Sequence, residues 1–141
     1  MPSSGYKVYW PINLILMNTI GNLLWLIFGG LYAAICYVIG GLVLCLTIIG
    51  IPFGLQCFKL AGFVLWPFGR MAIGNSSGTG CISLLLNIIW IVFGGIWLAV
   101  GHIIFGVLLF ITIIGMPFAR QHFKLVEISL LPFGKTIVPV A

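Results

Sequence analysis

"TIIGIPFG", Thr47 to Gly54, returns 65 residues later as "TIIGMPFA", Thr112 to Ala119. Each copy closes a long apolar run with Gly-x-Pro-Phe. Proline lacks an N–H and disfavours helix in the residue before it, so Gly50-Ile51-Pro52 and Gly115-Met116-Pro117 are predicted to end one helix and start another. Thr47 and Thr112 stand about one turn earlier, where a hydroxyl can bond a freed carbonyl. The phrase reads as a bend, and the path of the chain on either side of it decides the fold.

Sliding the chain by 65 residues aligns Asn22–Arg70 with Asn87–Lys135, with 23 of 49 positions identical. The shared skeleton is N-x-x-W-x-x-F-G-G, then T-I-I-G-x-P-F, then Q-x-F-K-L, then L-x-P-F-G-[RK]. The bend is therefore written twice because the chain is a tandem duplication. A tail of residues 1–11 precedes repeat one (12–70), a linker at 71–80 follows it, and repeat two (81–135) ends in a tail of residues 136–141. The linker holds "GNSSGTG", Gly74 to Gly80, small and polar as a flexible connection should be.

Hydrophobic residues make up 62% of the 141, and only 5% are charged. A soluble domain carries about a quarter charged residues, and one this small could not cover its surface with so few. The solvent for most of the chain is lipid. The net charge of +5 does not point to nucleic acid, because the basic residues are spread thinly beside apolar runs instead of clustering on a wet face. Anionic lipid headgroups are their simpler partner. Lys7 before an apolar stretch loosely resembles a signal peptide, but the apolar character continues, so that stretch reads as a retained membrane segment. The cysteines Cys36, Cys45, Cys57 and Cys81 form no CxxC pair or metal-like spacing.

This skeleton resembles the YccF family of bacterial inner-membrane proteins, whose domain carries the same W-x-x-F-G-G, T-I-I-G-I-P-F-G and F-K-L-A-x-x-x-L-W-P-F-G-R phrases. The resemblance covers both repeats. It implies the bacterial cytoplasmic membrane and a multi-pass character, and brings no activity to any residue. Copy two departs at Ala119, Arg120 and His122, where copy one has Gly54, Leu55 and Cys57.

A spanning helix needs about 20 residues. Ile12–Ile49 is too long for one and divides at Gly29-Gly30 into Ile12–Phe28 and Leu31–Ile49, roughly 26 and 28 Å long. Copy two divides into Cys81–Phe93, which is short for a span, and Ile96–Ile114. The six basic residues lie in the N-terminal tail or after the Gly-x-Pro bends, which puts both termini in the cytoplasm and makes the crossings even in number. The expected fold is an all-α integral membrane protein of two tandem repeats, each a transmembrane helical hairpin followed by an interfacial amphipathic helix. One long tilted helix per repeat (Asn22–Ile49, Asn87–Ile114), with the copies inverted, is the competing scheme. Beyond the bend, Arg120, Lys124 and Glu127 share one face, with Lys124 and Glu127 close enough to interact.

Lys59 and Lys124, in equivalent positions, read as snorkelling ammonium groups, and with Arg70, Arg120 and Lys135 they mark the membrane interface. Asn22 and Asn87 are candidates for helix packing or pore lining. So are Gly30, Ala34 and Gly41, copied as Gly95, Ala99 and Gly106, whose small side chains let helices approach closely. Trp10, Trp25, Trp66, Trp90 and Trp97 include interfacial anchors. With no Asp and one Glu there is no carboxylate pair, so no catalytic or cofactor residue is expected. His102 and His122 lack a third ligand at metal spacing, and Glu127, Arg120 and His122 read as solvated charge. The expected function is an oligomeric channel or pore built from a homo-oligomer. An accessory protein that binds a partner or organises lipid, and a small transporter, are the alternatives.

Overall fold

A computed structural model describes residues 10–75 and 80–140. Lys7, most of the N-terminal tail and residues 76–79 of the linker lie outside the described residues. The chain runs α1 (Ile12–Trp25), α2 (Leu31–Cys45), α3 (Ile51–Leu65), β1 (Arg70–Gly74), α4 (Cys81–Trp90), α5 (Ile96–Phe110), α6 (Met116–Leu130) and β2 (Lys135–Pro139). It is an all-α membrane protein of two repeats, joined by one short ribbon. The first linker residues, Met71 to Gly74, belong to that ribbon.

The hairpin expected at each Gly-Gly is not where the chain reverses. Ile91–Gly95 is a π-helical segment that carries α4 into α5, and Leu26–Gly30 carries α1 into α2 across a kink where Phe28 (φ −83°, ψ 15°) and Gly29 (φ 119°, ψ −6°) leave helical geometry. The apolar runs so joined are Ile12–Cys45, kinked at Gly29, and Cys81–Phe110, of 34 and 30 residues. At 1.5 Å per residue both are longer than roughly 30 Å of hydrocarbon, so Cys81–Phe93 need not span alone. The glycines serve close approach: a Cβ at Gly30 or Gly95 would strike the preceding Trp25 or Trp90 indole. The helices that lie side by side are α2 with α3 and α5 with α6.

The reversal occurs in the repeated phrase. The Thr47 hydroxyl donates to Leu44 O (3.0 Å) and accepts from Gly50 N–H (3.0 Å), and Thr112 does the same with Leu109 O (2.8 Å) and Gly115 N–H (3.1 Å). Backbone bonds Thr47 N–H to Leu44 O and Gly54 N–H to Gly50 O tie in the rest of the turn. A Cβ on Gly50 or Gly115 would collide with that carbonyl and hydroxyl, and the prolines enter the next helix in its first turn, where no N–H is missed. Each bond made within the turn lowers the cost of placing its backbone in lipid. Its side chains agree: Ile48 and Ile113 are 87% and 88% exposed.

The two hairpins pack head to tail. Phe53, at the start of α3, stands 5.5 Å from Phe133, beyond the end of α6, and Phe118 stands 5.8 Å from Phe68. An approximate two-fold relates them. β1 and β2 pair antiparallel with Ala72 opposite Ile137, and Tyr37 meets His102; both pairs are 65 apart in sequence. Trp25, Leu60, Phe63, Leu125 and Ile128 form the buried centre, while the outward faces of α1, α2, α4 and α5 are exposed and apolar.

Candidate functional site

The repeated polar residues hold the frame together. Asn22 Nδ2 donates to Phe68 O (3.0 Å) while Phe68 N–H donates to Asn22 Oδ1 (2.9 Å), and Asn87 binds Phe133 the same way. Each amide therefore closes a Pro-Phe-Gly turn as a neighbouring strand would, and is spent there. Trp25 Nε1 donates to Val64 O, and Trp90 Nε1 to Ser129 O, each at 2.7 Å. Those carbonyls belong to the last turns of α3 and α6, where no helix N–H serves them. These two indoles are buried, so they are struts within the fold and not interfacial anchors.

The lysines bond across the two-fold. Lys124 Nζ donates to Pro67 O (2.6 Å) and Arg70 O (2.9 Å), while Lys59 Nζ donates to Pro132 O and to Lys135 O (3.1 Å). The expectation had these ammonium groups among lipid phosphates; instead each caps the carbonyl-rich end of the other repeat, where the helix dipole also favours a cation. Glu127 pairs with Lys135 and not with Lys124. Arg70 and Arg120 are exposed. Gly30, Ala34, Gly41, Gly95, Ala99 and Gly106 are all buried; Gly41 faces Cys57 and Phe58, and Gly106 faces Phe123, within one chain.

Where the repeats differ, a buried polar chain appears. Tyr37 Oη lies 3.0 Å from both Ser129 Oγ and His102 Nε2, and His102 Nδ1 lies 3.0 Å from His122 Nδ1. Its direction follows from one end. Ser129 Oγ is 2.7 Å from Leu125 O, a group that only accepts, so the serine proton is used there. Tyr37 O–H then donates to Ser129 Oγ, His102 Nε2–H to Tyr37 Oη, and His122 Nδ1–H to His102 Nδ1. The chain ends on His122 Nε2, a bare acceptor with no hydrogen-bond partner among the described residues. Among those residues no group of three His, Cys, Asp or Glu gathers as for a metal.

Beside this chain, α2 and α5 bound a pocket of about 290 Å³. Phe28, Tyr32, Trp97 and Phe105 line its apolar part, and Tyr37, His102 and His122 its polar part. Phe105 stacks on His122 at 5.7 Å, and Trp25 covers His122 at 4.6 Å. The sequence singled out both histidines but joined His122 to Arg120 and Glu127; the structure turns it onto His102. The available signal was the small-residue face. His102 lies three residues after Ala99 and four before Gly106, and Tyr37 has the same place between Ala34 and Gly41.

The family model for YccF, described as an inner membrane component domain, matches residues 20–70 and again 85–135. The chain belongs to the YccF family. The Inner membrane protein YccF of Escherichia coli (strain K12) is 32% identical over 132 residues, covering 88% of this chain and 89% of its own. The protein of the same name from Shigella flexneri is equally similar. No solved structure is a significant match. The YccF unit, as matched, contains the Asn, Trp, Lys and Pro-Phe-Gly frame of each repeat, so a chain with two units carries both halves of the two-fold.

Proposed function

We propose that this YccF protein is a non-enzymatic accessory component of the inner membrane, a two-fold wedge that organises lipid or a membrane partner. The chain enters the bilayer along each long helix and returns along α3 and α6 to the face that bears the ribbon. The observation carrying this reading is the pair of hairpin tips: Ile48, Ile49, Ile113 and Ile114 are 82–88% exposed on turns closed by the Thr47 and Thr112 hydroxyls and by flanking backbone bonds. Four large apolar side chains held outward in this way are costly in water and favoured in hydrocarbon. Trp10 and Val140 line one pocket with Arg70, which supports placing both ends on the ribbon side. The basic residues that open the strands, Arg70 and Lys135, favour the cytoplasm for that side.

The oligomeric pore is the other reading, and it draws less support. Asn22, Asn87 and the small-residue faces, its wall candidates, are used inside one chain, and the outward helix faces that subunits could share are apolar. One experiment tests both. Spin labels placed at Ile49, Ile114 and Thr136, in a variant freed of native cysteines, are measured in proteoliposomes for collision with oxygen and with a water-soluble nickel complex. Oxygen access without nickel access is expected at Ile49 and Ile114, the reverse at Thr136, and no ionic current from the same preparation. Nickel access at the tips would remove the wedge, and a steady ion-selective current would restore the pore.

A further inference from the structure

The pocket between α2 and α5 has the parts of a ligand site. Its volume of about 290 Å³ is at the lower end of small-molecule pockets, which run from roughly 300 to 1,000 Å³. Tyr32 and Trp97, on its rim, are 70% and 71% exposed, so it opens through the apolar surface of the membrane helices. A ligand arriving there comes sideways out of the bilayer. An ion or sugar would have to shed its water to do so, whereas an apolar ring or chain would not.

The polar end narrows the class further. His122 is only 5% exposed, lines the pocket, and holds a bare Nε2 acceptor at the end of the chain that begins at Ser129. That acceptor opens into an apolar pocket with no donor bonded to it among the described residues, and a ligand that supplies the donor is favoured over one of equal shape that cannot. The copy-one counterparts of the chain are Cys57 for His122 and Val64 for Ser129, so the pseudo-two-fold does not generate a second such site.

We propose that this pocket binds a bilayer-dissolved alcohol or phenol, its apolar body against Phe28, Trp97 and Phe105 and its hydroxyl donating to His122 Nε2. The proposal rests on the reading above that α2 and α5 lie in hydrocarbon. Bromine quenches indole fluorescence on contact, and Trp97 lines the pocket while Trp25 touches His122. Bromoundecanol and its methyl ether, which share a chain but differ in the hydroxyl proton, are titrated into the full-length protein. The vesicles are made of phosphatidylethanolamine and phosphatidylglycerol.

Saturable quenching is expected from the alcohol, with the ether about tenfold weaker, the loss of roughly one hydrogen bond to an acceptor in an apolar pocket. His122→Phe should shrink that preference below about twofold. Gly101→Phe provides a second variant, because a Cβ at Gly101 meets nothing within 4 Å and its ring would fill the pocket without disturbing the core. It should abolish saturation by both probes. Equal saturation by alcohol and ether in the unmodified protein, or saturation that survives Gly101→Phe, would overturn the proposal. Either result leaves the spin-label depth profile unchanged, so a failure of the pocket is distinct from a failure of the wedge.

Discussion

The two repeats agree where they hold the frame and differ where they meet. Asn22 and Asn87, Trp25 and Trp90, and Lys59 and Lys124 make matching bonds, each to its counterpart turn, helix end or facing repeat. At the two-fold, Tyr37 faces His102, and around it Cys57 and Val64 stand opposite His122 and Ser129 in the alignment. A duplicated chain places equivalent residues against each other on its axis. Identical residues there would have to bond their own kind, whereas a tyrosine facing a histidine forms an unequal pair whose direction the Ser129 bond to Leu125 O then sets. Divergence at the axis is thus what allows a directed polar chain inside a symmetric frame.

If the frame is symmetric, equal damage to either half should cost the same. Trp25 and Trp90 are 0% and 3% exposed, and each indole both fills the centre and serves a helix-end carbonyl. Trp25→Ala and Trp90→Ala are each expected to destabilise by about 3–5 kcal/mol. Unfolding in mixed detergent, followed by circular dichroism, checks this. The two losses should agree within about 1 kcal/mol; a gap of more than about 2 kcal/mol would break the equivalence of the halves.

The axis should behave differently. Tyr37→Phe removes the hydroxyl that accepts from His102 and donates to Ser129, stranding a buried N–H and leaving Ser129 Oγ bonded on one side only. The same unfolding measurement should show a loss of about 1–3 kcal/mol. His102→Phe, at the equivalent position, should not simply repeat that value, since it also frees His122 Nδ1. Matching losses for the two variants would argue against a directed chain.

Much of this was readable in the sequence. The 65-residue register, the bend at Gly-x-Pro and the small-residue face all carry local signals, and each stands where the sequence puts it. The direction of the chain at Gly29-Gly30 was not readable. A Gly-Gly pair serves a tight turn and a close approach equally well, and the occupant that decides between them is the Trp25 ring, five residues back. The ribbon was missed because "RMAIG" has no polar alternation and is held by a partner strand more than 60 residues away. The lysine bonds were missed for a similar reason. A lone Lys in apolar sequence announces that it needs oxygen, but snorkelling and capping another repeat's carbonyls satisfy it alike. The Tyr37–His102 pair was one subtraction away, as 102 minus 37 is the repeat length. Only knowledge that the halves face each other across an axis gives that subtraction meaning.

The smallest expected effect sits where the frame itself departs from symmetry. Gly29 adopts φ 119°, whereas Gly94 has no positive φ. The sharper kink in repeat one brings Phe28 to 5.2 Å from Phe118. The counterpart Phe93 is 80% exposed and lines an open pocket with Phe53. Gly29→Ala forces an L side chain into a backbone region it rarely adopts and should cost about 1–2 kcal/mol or straighten the kink. Gly94→Ala meets no such strain. Its Cβ would lie 3.3 Å from the Trp90 ring, and removing a helical glycine returns up to about 1 kcal/mol, so no net loss is expected. Fluorine labels on Phe28 and Phe93 separate the outcomes, since straightening would move the Phe28 resonance toward that of Phe93. If both alanine variants were silent and the resonances stayed apart, the asymmetry would belong to the surrounding packing of α6 and not to the backbone of Gly29.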